Sequence, residues 1–306
     1  MNLMSKQRIA YIDVAKGIGI ILVVLGHCLA YGCQNQLFRF IYSFHMPLFF
    51  FLSGFVFRSK DSTAFFTSKI KTLLLPVIFF QTLNLVLFSI LYCSGRVFDK
   101  DLTQYHHFLT FGGFWFIITL LCVSSLYYVI YEKIACRFNN KNILMLCFAM
   151  CFLIIGLLYA PSIANQQNQP IATTMTAFFF YTCGGLFKSL VSNITVTNSR
   201  TRTIAFFIGL ALSALCFYFN GFTEVNVDYN TSRYGNRLLF VANALLGSLA
   251  VIMISYAISK SKILEWYGKN TLMLLFVHIP LWKSFDAIIV HFTSYEGGIK
   301  STIVYL

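Results

Sequence analysis

Three histidines lie inside long apolar stretches, where a titratable group is costly: His27, His45 and His278. The first closes the run Arg8-Ile-Ala-Tyr-Ile-Asp13-Val-Ala-Lys16-Gly-Ile-Gly-Ile-Ile-Leu-Val-Val-Leu-Gly26-His27. On a helix advancing about 100° per residue, Lys16 and His27 fall within roughly 20° of one face, with Asp13 one turn below Lys16 on nearly the same stripe. The rise from Lys16 to His27 is about 16 Å, so with Lys16 at the interface His27 reaches the middle of a ~30 Å hydrocarbon core. There it must face protein or a water-filled cavity. Imidazole, with an ordinary pKa of about 6.5, suits proton abstraction near neutral pH. With Asp13 and Lys16 on its face, His27 reads as a catalytic base.

His45, in Phe44-His45-Met-Pro47, and His278, in Val277-His278-Ile-Pro280, each sit about 12 Å from one end of their own spans, in the same central slab as His27. Pro47 and Pro280 should loosen their helices and free carbonyls that need partners. Taken singly, His45 or His278 reads equally well as a satisfied interhelical hydrogen bond. A three-histidine metal centre has no HxxH or His/carboxylate spacing behind it, and no metal is expected.

The elements that must position these groups are membrane helices. With 58% hydrophobic and 11% charged residues among 306, the chain is too apolar for a soluble domain. Windows long enough for a bilayer fall near 14–33, 37–57, 70–94, 113–131, 142–160, 173–191, 203–219, 237–258 and 270–290, an all-α polytopic bundle of nine predicted spans. No composition break divides it, so 1–306 reads as one integral-membrane domain. Ala30-Tyr31-Gly32 before Cys33 loosely resembles a signal-peptide cleavage site, but the run of further spans makes an uncleaved first helix the simpler reading.

The net charge of +13 comes from Lys and Arg scattered between apolar blocks, which is an orientation signal and excludes a nucleic-acid footprint. With the N-terminus placed in the cytoplasm, every inner connection is basic, as at Arg58/Lys60, Lys133/Arg137, Arg200/Arg202 and Lys260/Lys262, whereas 161–170 carries no charge. Nine cysteines without CxxC pairs argue against a disulfide frame or zinc site. Two longer polar connections, 95–112 and 220–237, are expected outside, as solvated loops or as surfaces for a hydrophilic substrate.

Several of these residues also fall into familiar strings. Arg8-x-x-Tyr-Ile-Asp13-x-x-Lys16-Gly-Ile-Gly…Gly26-His27, Phe44-His45-Met-Pro47-Leu-Phe-Phe-Phe-Leu-Ser53-Gly54, Phe114-Trp115-Phe116-Ile and Tyr267-Gly268-Lys-Asn270-Thr-Leu…His278-Ile-Pro280 resemble the acyltransferase type 3 family, integral-membrane glycan O-acetylases, and most closely its fucose 4-O-acetylase-like branch. The resemblance implies a ten-helix bundle that moves an acyl group from cytosolic acyl-CoA to a sugar hydroxyl of a surface or lipid-linked glycan. It implies His27 as the essential histidine, Lys16 as its basic partner and Trp115 as the aromatic residue of the fourth-span motif. The family's paired arginines before the third span appear here as Lys69-Ile-Lys71-Thr72, which keeps charge but loses the planar bidentate fork. A tenth helix would only begin in Ile303-Val-Tyr-Leu306, so the chain reads as cut short there.

The expected mechanism is acyl transfer with His27 as base, Asp13 pairing with Lys16 or steadying an imidazolium, and Lys16, Lys69, Lys71 and Arg58 near the donor phosphates. His45, Trp115, His278 and Asn270 are expected on the acceptor side or lining the pocket. No cofactor is expected to be bound: acetyl-CoA (acyl-CoA) is a co-substrate, the glycan acceptor and lipid bilayer are partners, and the location is the cell inner membrane. Two rivals remain open at this stage, a multi-span transporter using His and Asp as proton relays and a non-catalytic scaffold for glycan assembly.

Overall fold

The structure is a computed structural model that describes residues 9–32, 36–93, 114–160, 170–191, 198–221 and 226–278. These residues form α1 (Ala10–Gly32), α2 (Gln36–Phe55), α3 (Ser62–Lys69), a π-helical turn (Ile70–Leu74), α4 (Leu75–Cys93), α5 (Trp115–Lys133), α6 (Lys141–Tyr159), α7 (Pro170–Val191), α8 (Ser199–Asn220), α9 (Arg237–Ile258) and α10 (Lys262–Lys269). Residues 271–278 are helical as well. Among the described residues the one β feature is an isolated antiparallel bridge between Asp228 and Arg233, so the all-α expectation holds.

Local sequence explains where several helices begin. The side chains of Asp61, Asn198, Asn236 and Ser261 accept from Thr63 N, Arg200 N, Leu239 N and Leu264 N and so cap α3, α8, α9 and α10. Asp61 moves the start of the third span from the predicted residue 70 to Ser62. The π turn precedes Pro76, which has no N–H and whose ring crowds the carbonyl of Thr72 four residues back. Widening the turn relieves that clash, and Leu75 N donates to Ile70 O across it.

Among the described residues seven helices are long and apolar enough to cross a membrane. Helices occupy the first eight predicted windows, and the ninth is helical through residue 278, beyond which it lies outside the described residues. Of those eight, α7 is not among the seven, because Thr173, Thr174, Thr176, Thr182, Gly184, Gly185 and Lys188 lower its apolarity. The loop 95–112, the segment 161–169 and the tail after residue 278 also lie outside the described residues.

The chain divides into two compact units. The first comprises Met1–Phe55, Gly184–Tyr229 and Arg233–Leu306; the second comprises Val56–Cys183 and Asn230–Ser232. In the first, α2 is buried nearly all round, with Phe44, Leu48, Phe50, Leu52 and Phe55 at 2% exposure or less. Small residues let its neighbours approach: a Cβ on Gly26 would meet the ring of Tyr42, one on Gly19 would press on Leu48 and Phe49, and one on Gly247 of α9 would collide with Phe44. Two glycines seat α10 on α1. A Cβ on Gly17 would overlap the carbonyl of Leu264, and one on Gly268 would overlap the carbonyl of Asp13.

The second unit is held by aromatic side chains. Phe57 meets Tyr127 edge-on at 4.8 Å, Tyr127 meets Tyr181 at 4.9 Å, Phe152 meets Phe178 at 4.8 Å and Phe65 stacks on Tyr128 at 4.2 Å. The Tyr128 hydroxyl donates to Lys60 O, and Ser59 Oγ donates to the Glu132 carboxylate, pinning the segment before α3 to α5.

Candidate functional site

The continuous helix α1 carries Asp13, Lys16 and His27 on one stripe, as the spacing predicts. Asp13 is buried, at 6% exposure, while Lys16 and His27 are half-buried. Because α10 packs on the backbone of α1 at Asp13 and Gly17, the lower end of this stripe is clamped by a second helix.

The three histidines come from α1, α2 and the helical residues 271–278, and the structure brings their rings together inside the first unit. His27 and His278 lie with ring centres 5.1 Å apart, tilted by 43°. Tyr42 links His27 to the third ring: it sits 6.3 Å from His27, nearly edge-on, and 4.8 Å from His45. Phe38 packs on Tyr42 at 4.0 Å and helps to hold it. The common depth expected for the three histidines is therefore accompanied by real proximity.

His45 and His278 are fixed in the same manner. His45, at 4% exposure, donates from Nδ1 to Ile41 O at 2.9 Å, and α2 continues as a helix through Pro47. His278 Nδ1 lies 3.1 Å from Leu274 O and 2.8 Å from Leu275 O. A carbonyl only accepts, so each Nδ1 carries the hydrogen, and in the neutral ring the lone pair is left on Nε2. Backbone carbonyls thus set both tautomers and aim basic nitrogens into the interior.

Sequence reasoning missed Tyr42. The available signal was its place three residues before His45 on α2, which puts the phenol on the same helical face. It also missed a buried polar group on α2 and α8, where Ser43 Oγ accepts from Asn220 Nδ2 at 3.1 Å and lies 3.8 Å from Cys216 Sγ. Asn270 follows α10, and its Nδ2 donates to Trp266 O at 2.8 Å, closing the helix end. Glu265 and Lys269 form an i,i+4 pair at 3.1 Å on the same helix.

The remaining expected residues belong to the second unit. Arg58 is exposed, just after α2. Lys69 ends α3 with its ammonium 5.4 Å from the centre of the Phe65 ring, and Lys71 is exposed on the π turn. Lys71 lines an open recess of about 570 Å³ with Asp61, Thr63, Thr67, Ser68 and Thr72, so a cation and several hydroxyls border one space. Trp115 opens α5, half-buried and edge-on to Phe116 at 6.1 Å. Among the described residues no group of three or more His, Cys, Asp or Glu has the arrangement of a metal site.

Residues 9–304 match the family described as "Acyltransferase domain". The chain is 26% identical over 275 residues to a protein named nodulation protein NolL of Sinorhizobium fredii, covering 81% of this chain and 65% of that protein. It is 33% identical over 130 residues to a protein of the same name from Mesorhizobium japonicum, covering 37% of this chain and 33% of the relative. The chain therefore matches just under two thirds of the length of the first relative and a third of the second. No solved structure matches it.

Proposed function

The chain belongs to the acyltransferase domain family, and on that footing we propose that it is a multi-pass O-acyltransferase of the cell inner membrane. It takes an acetyl group from acetyl-CoA and esterifies a sugar hydroxyl of a surface polysaccharide or lipid-linked glycan. The observation that carries this reading is the meeting of His27 with His278 and Tyr42 in the interior of one helical unit. A base there takes the hydroxyl proton in a setting poor in competing water.

The step follows from the residues. The acceptor oxygen gives its proton to His27 and attacks the thioester carbonyl; the carbon–sulfur bond breaks, and the imidazolium returns the proton to the leaving thiolate. Asp13 pairs with Lys16, its neighbour on the same stripe, and Lys16 adds its charge to the donor side. Lys69, Lys71 and Arg58 bind donor phosphates, the two lysines as point charges rather than planar forks. The π turn under Lys71 supports this reading, since such turns recur where a helix must redirect side chains at a functional position. Trp115 offers the acceptor sugar an aromatic face for stacking, and His45 lines the polar interior of the first unit.

Purified full-length protein in proteoliposomes, given labelled acetyl-CoA and the lipid-linked glycan fraction of the host's own membranes, tests the proposal. Label on the glycan supports transfer; movement of acceptor across the bilayer without label would favour a transporter. Replacing His27 with Ala is expected to cut transfer by about 10²–10⁴ while membrane abundance stays at the wild-type level. Wild-type transfer by that variant would remove His27 from its role.

A further inference from the structure

His278 has a property that its burial alone does not call for. Its Nδ1 is committed to Leu274 O and Leu275 O, which leaves a lone pair on Nε2 in the neutral ring. That Nε2 is buried and has no hydrogen-bond partner among the described residues. An orphaned acceptor in a membrane protein's interior is unfavourable, so its retention calls for a partner present at another stage of the cycle. The neighbouring ring is His27, with centres 5.1 Å apart.

We infer that His278 is the positioning residue for His27. When substrates are bound, His278 Nε2 accepts the ring N–H of His27. This holds His27 in the tautomer whose other nitrogen is free to take the hydroxyl proton, and it spreads the charge of the imidazolium once that proton has moved. The inference rests on the reading of His27 as the base. An N–H···N bond of about 3 Å between imidazole rims places the ring centres roughly 5 Å apart, so the helices are already at the required separation. Only a ring must turn, and the terminal torsion of histidine is broad.

The anchoring explains why His278 suits the part. Two backbone carbonyls hold its far side, as a carboxylate holds the histidine of a hydrolase triad, but without adding a negative charge to the membrane interior. Tyr42, at 6.3 Å and edge-on, is a further neighbour of His27. The chemistry balances without a further reactant: the acceptor oxygen–acyl carbon bond forms, the carbon–sulfur bond breaks, the proton travels from hydroxyl to His27 to thiolate, and His278 ends unchanged.

The test compares His278→Gln with His278→Asn in the proteoliposome assay. The longer amide places an oxygen near the position of Nε2; the shorter one keeps a donor for the carbonyls near Nδ1 but presents no acceptor to His27. The asparagine variant is expected to lower kcat on the order of 10- to 100-fold, with KM for acetyl-CoA within about twofold of wild type, and the glutamine variant to recover most of the rate. Combining His278→Asn with His27→Ala is expected to slow the reaction no further than His27→Ala alone, because the two act as one unit. Wild-type kcat in His278→Asn, equal rates in the two amides at matched thermal stability, or additive losses in the double variant would overturn the inference. The two readings fail separately. A fully active His27→Ala removes the base itself, whereas an inactive His27→Ala beside a fully active His278→Asn removes only the role of His278.

Discussion

The first unit buries its polar groups, with Asp13, Ser43, His45, Asn220 and Asn243 all at 6% exposure or less. Among the described residues, the polar side chains that the second unit buries beside its aromatic rings are hydroxyls, as at Thr119, Ser124, Thr173, Thr176 and Thr182. It has Arg58, Lys60 and Lys71 exposed and Tyr127, Phe178 and Tyr181 in its core. Both units are built from similar apolar helices, yet they suit different tasks. A polar group shielded from water keeps its electrostatic leverage and can steer one proton; an exposed lysine keeps its hydration and mobility and can meet a multiply charged anion. Glycine makes the first arrangement possible by bringing backbones close enough to exclude water, while ring-on-ring packing gives the second a stiff platform.

Four substitutions sharpen this contrast, taken from the largest expected effect. Gly268→Leu drives a side chain into the carbonyl of Asp13 and should cost ~3 kcal/mol, read as a lower midpoint of thermal unfolding in detergent together with loss of transfer. Gly156→Ala in the second unit would bring its Cβ to 2.8 Å from Thr176 Cγ2, 2.9 Å from Thr176 N and 3.0 Å from Ala172 O, looser than the 1.8 Å overlap at Gly268, and should cost about 1–2 kcal/mol. Equal losses would erase the claim that the closer backbone approach at Gly268 matters more. Next, Lys71→Ala should raise KM for acetyl-CoA about tenfold and leave kcat within twofold, a pattern of lost ground-state binding. A fall in kcat with unchanged KM would move Lys71 out of donor binding. The smallest effect is expected at Tyr181, whose fully buried hydroxyl has no hydrogen-bond partner among the described residues. Tyr181→Phe should be neutral or stabilising by up to ~1 kcal/mol, because it removes a polar atom that burial leaves unsatisfied. Marked destabilisation in an unfolding scan would show that the hydroxyl has a partner in the membrane.

Much of this was legible in the sequence because membrane helices obey simple length and periodicity rules. The stripe from Asp13 through Lys16 to His27 needed only the helical repeat, and the depths of His45 and His278 needed only the rise per residue. What escaped depends on contacts between distant segments or on backbone detail. Gly17 meets Leu264 and Gly268 meets Asp13 across most of the chain, and each glycine alone looks like an ordinary membrane glycine. The π turn arises from Pro76 inside a helix that continues, whereas proline is as readily read as a stop. Tyr42 looked like one aromatic among 17 tyrosines until α1 and α2 were seen side by side. The capping by Asp61 was readable, as Asp-Ser-Thr before an apolar run, and yet the apolar count alone placed the span's start later.

The clasp between α1 and α10 also sets a timetable for making the protein. α1 leaves the ribosome before α10, and Gly268, which seats against its Asp13 carbonyl, is encoded about 250 residues later, so at ordinary elongation rates roughly ten to fifty seconds pass before it emerges. Through that interval the nascent first helix holds an acid, a base and an imidazole at the membrane without its final neighbour. The insertion machinery must shelter that helix until α10 has emerged, so the assembly of this pair is governed by the later helix as well as by the earlier one.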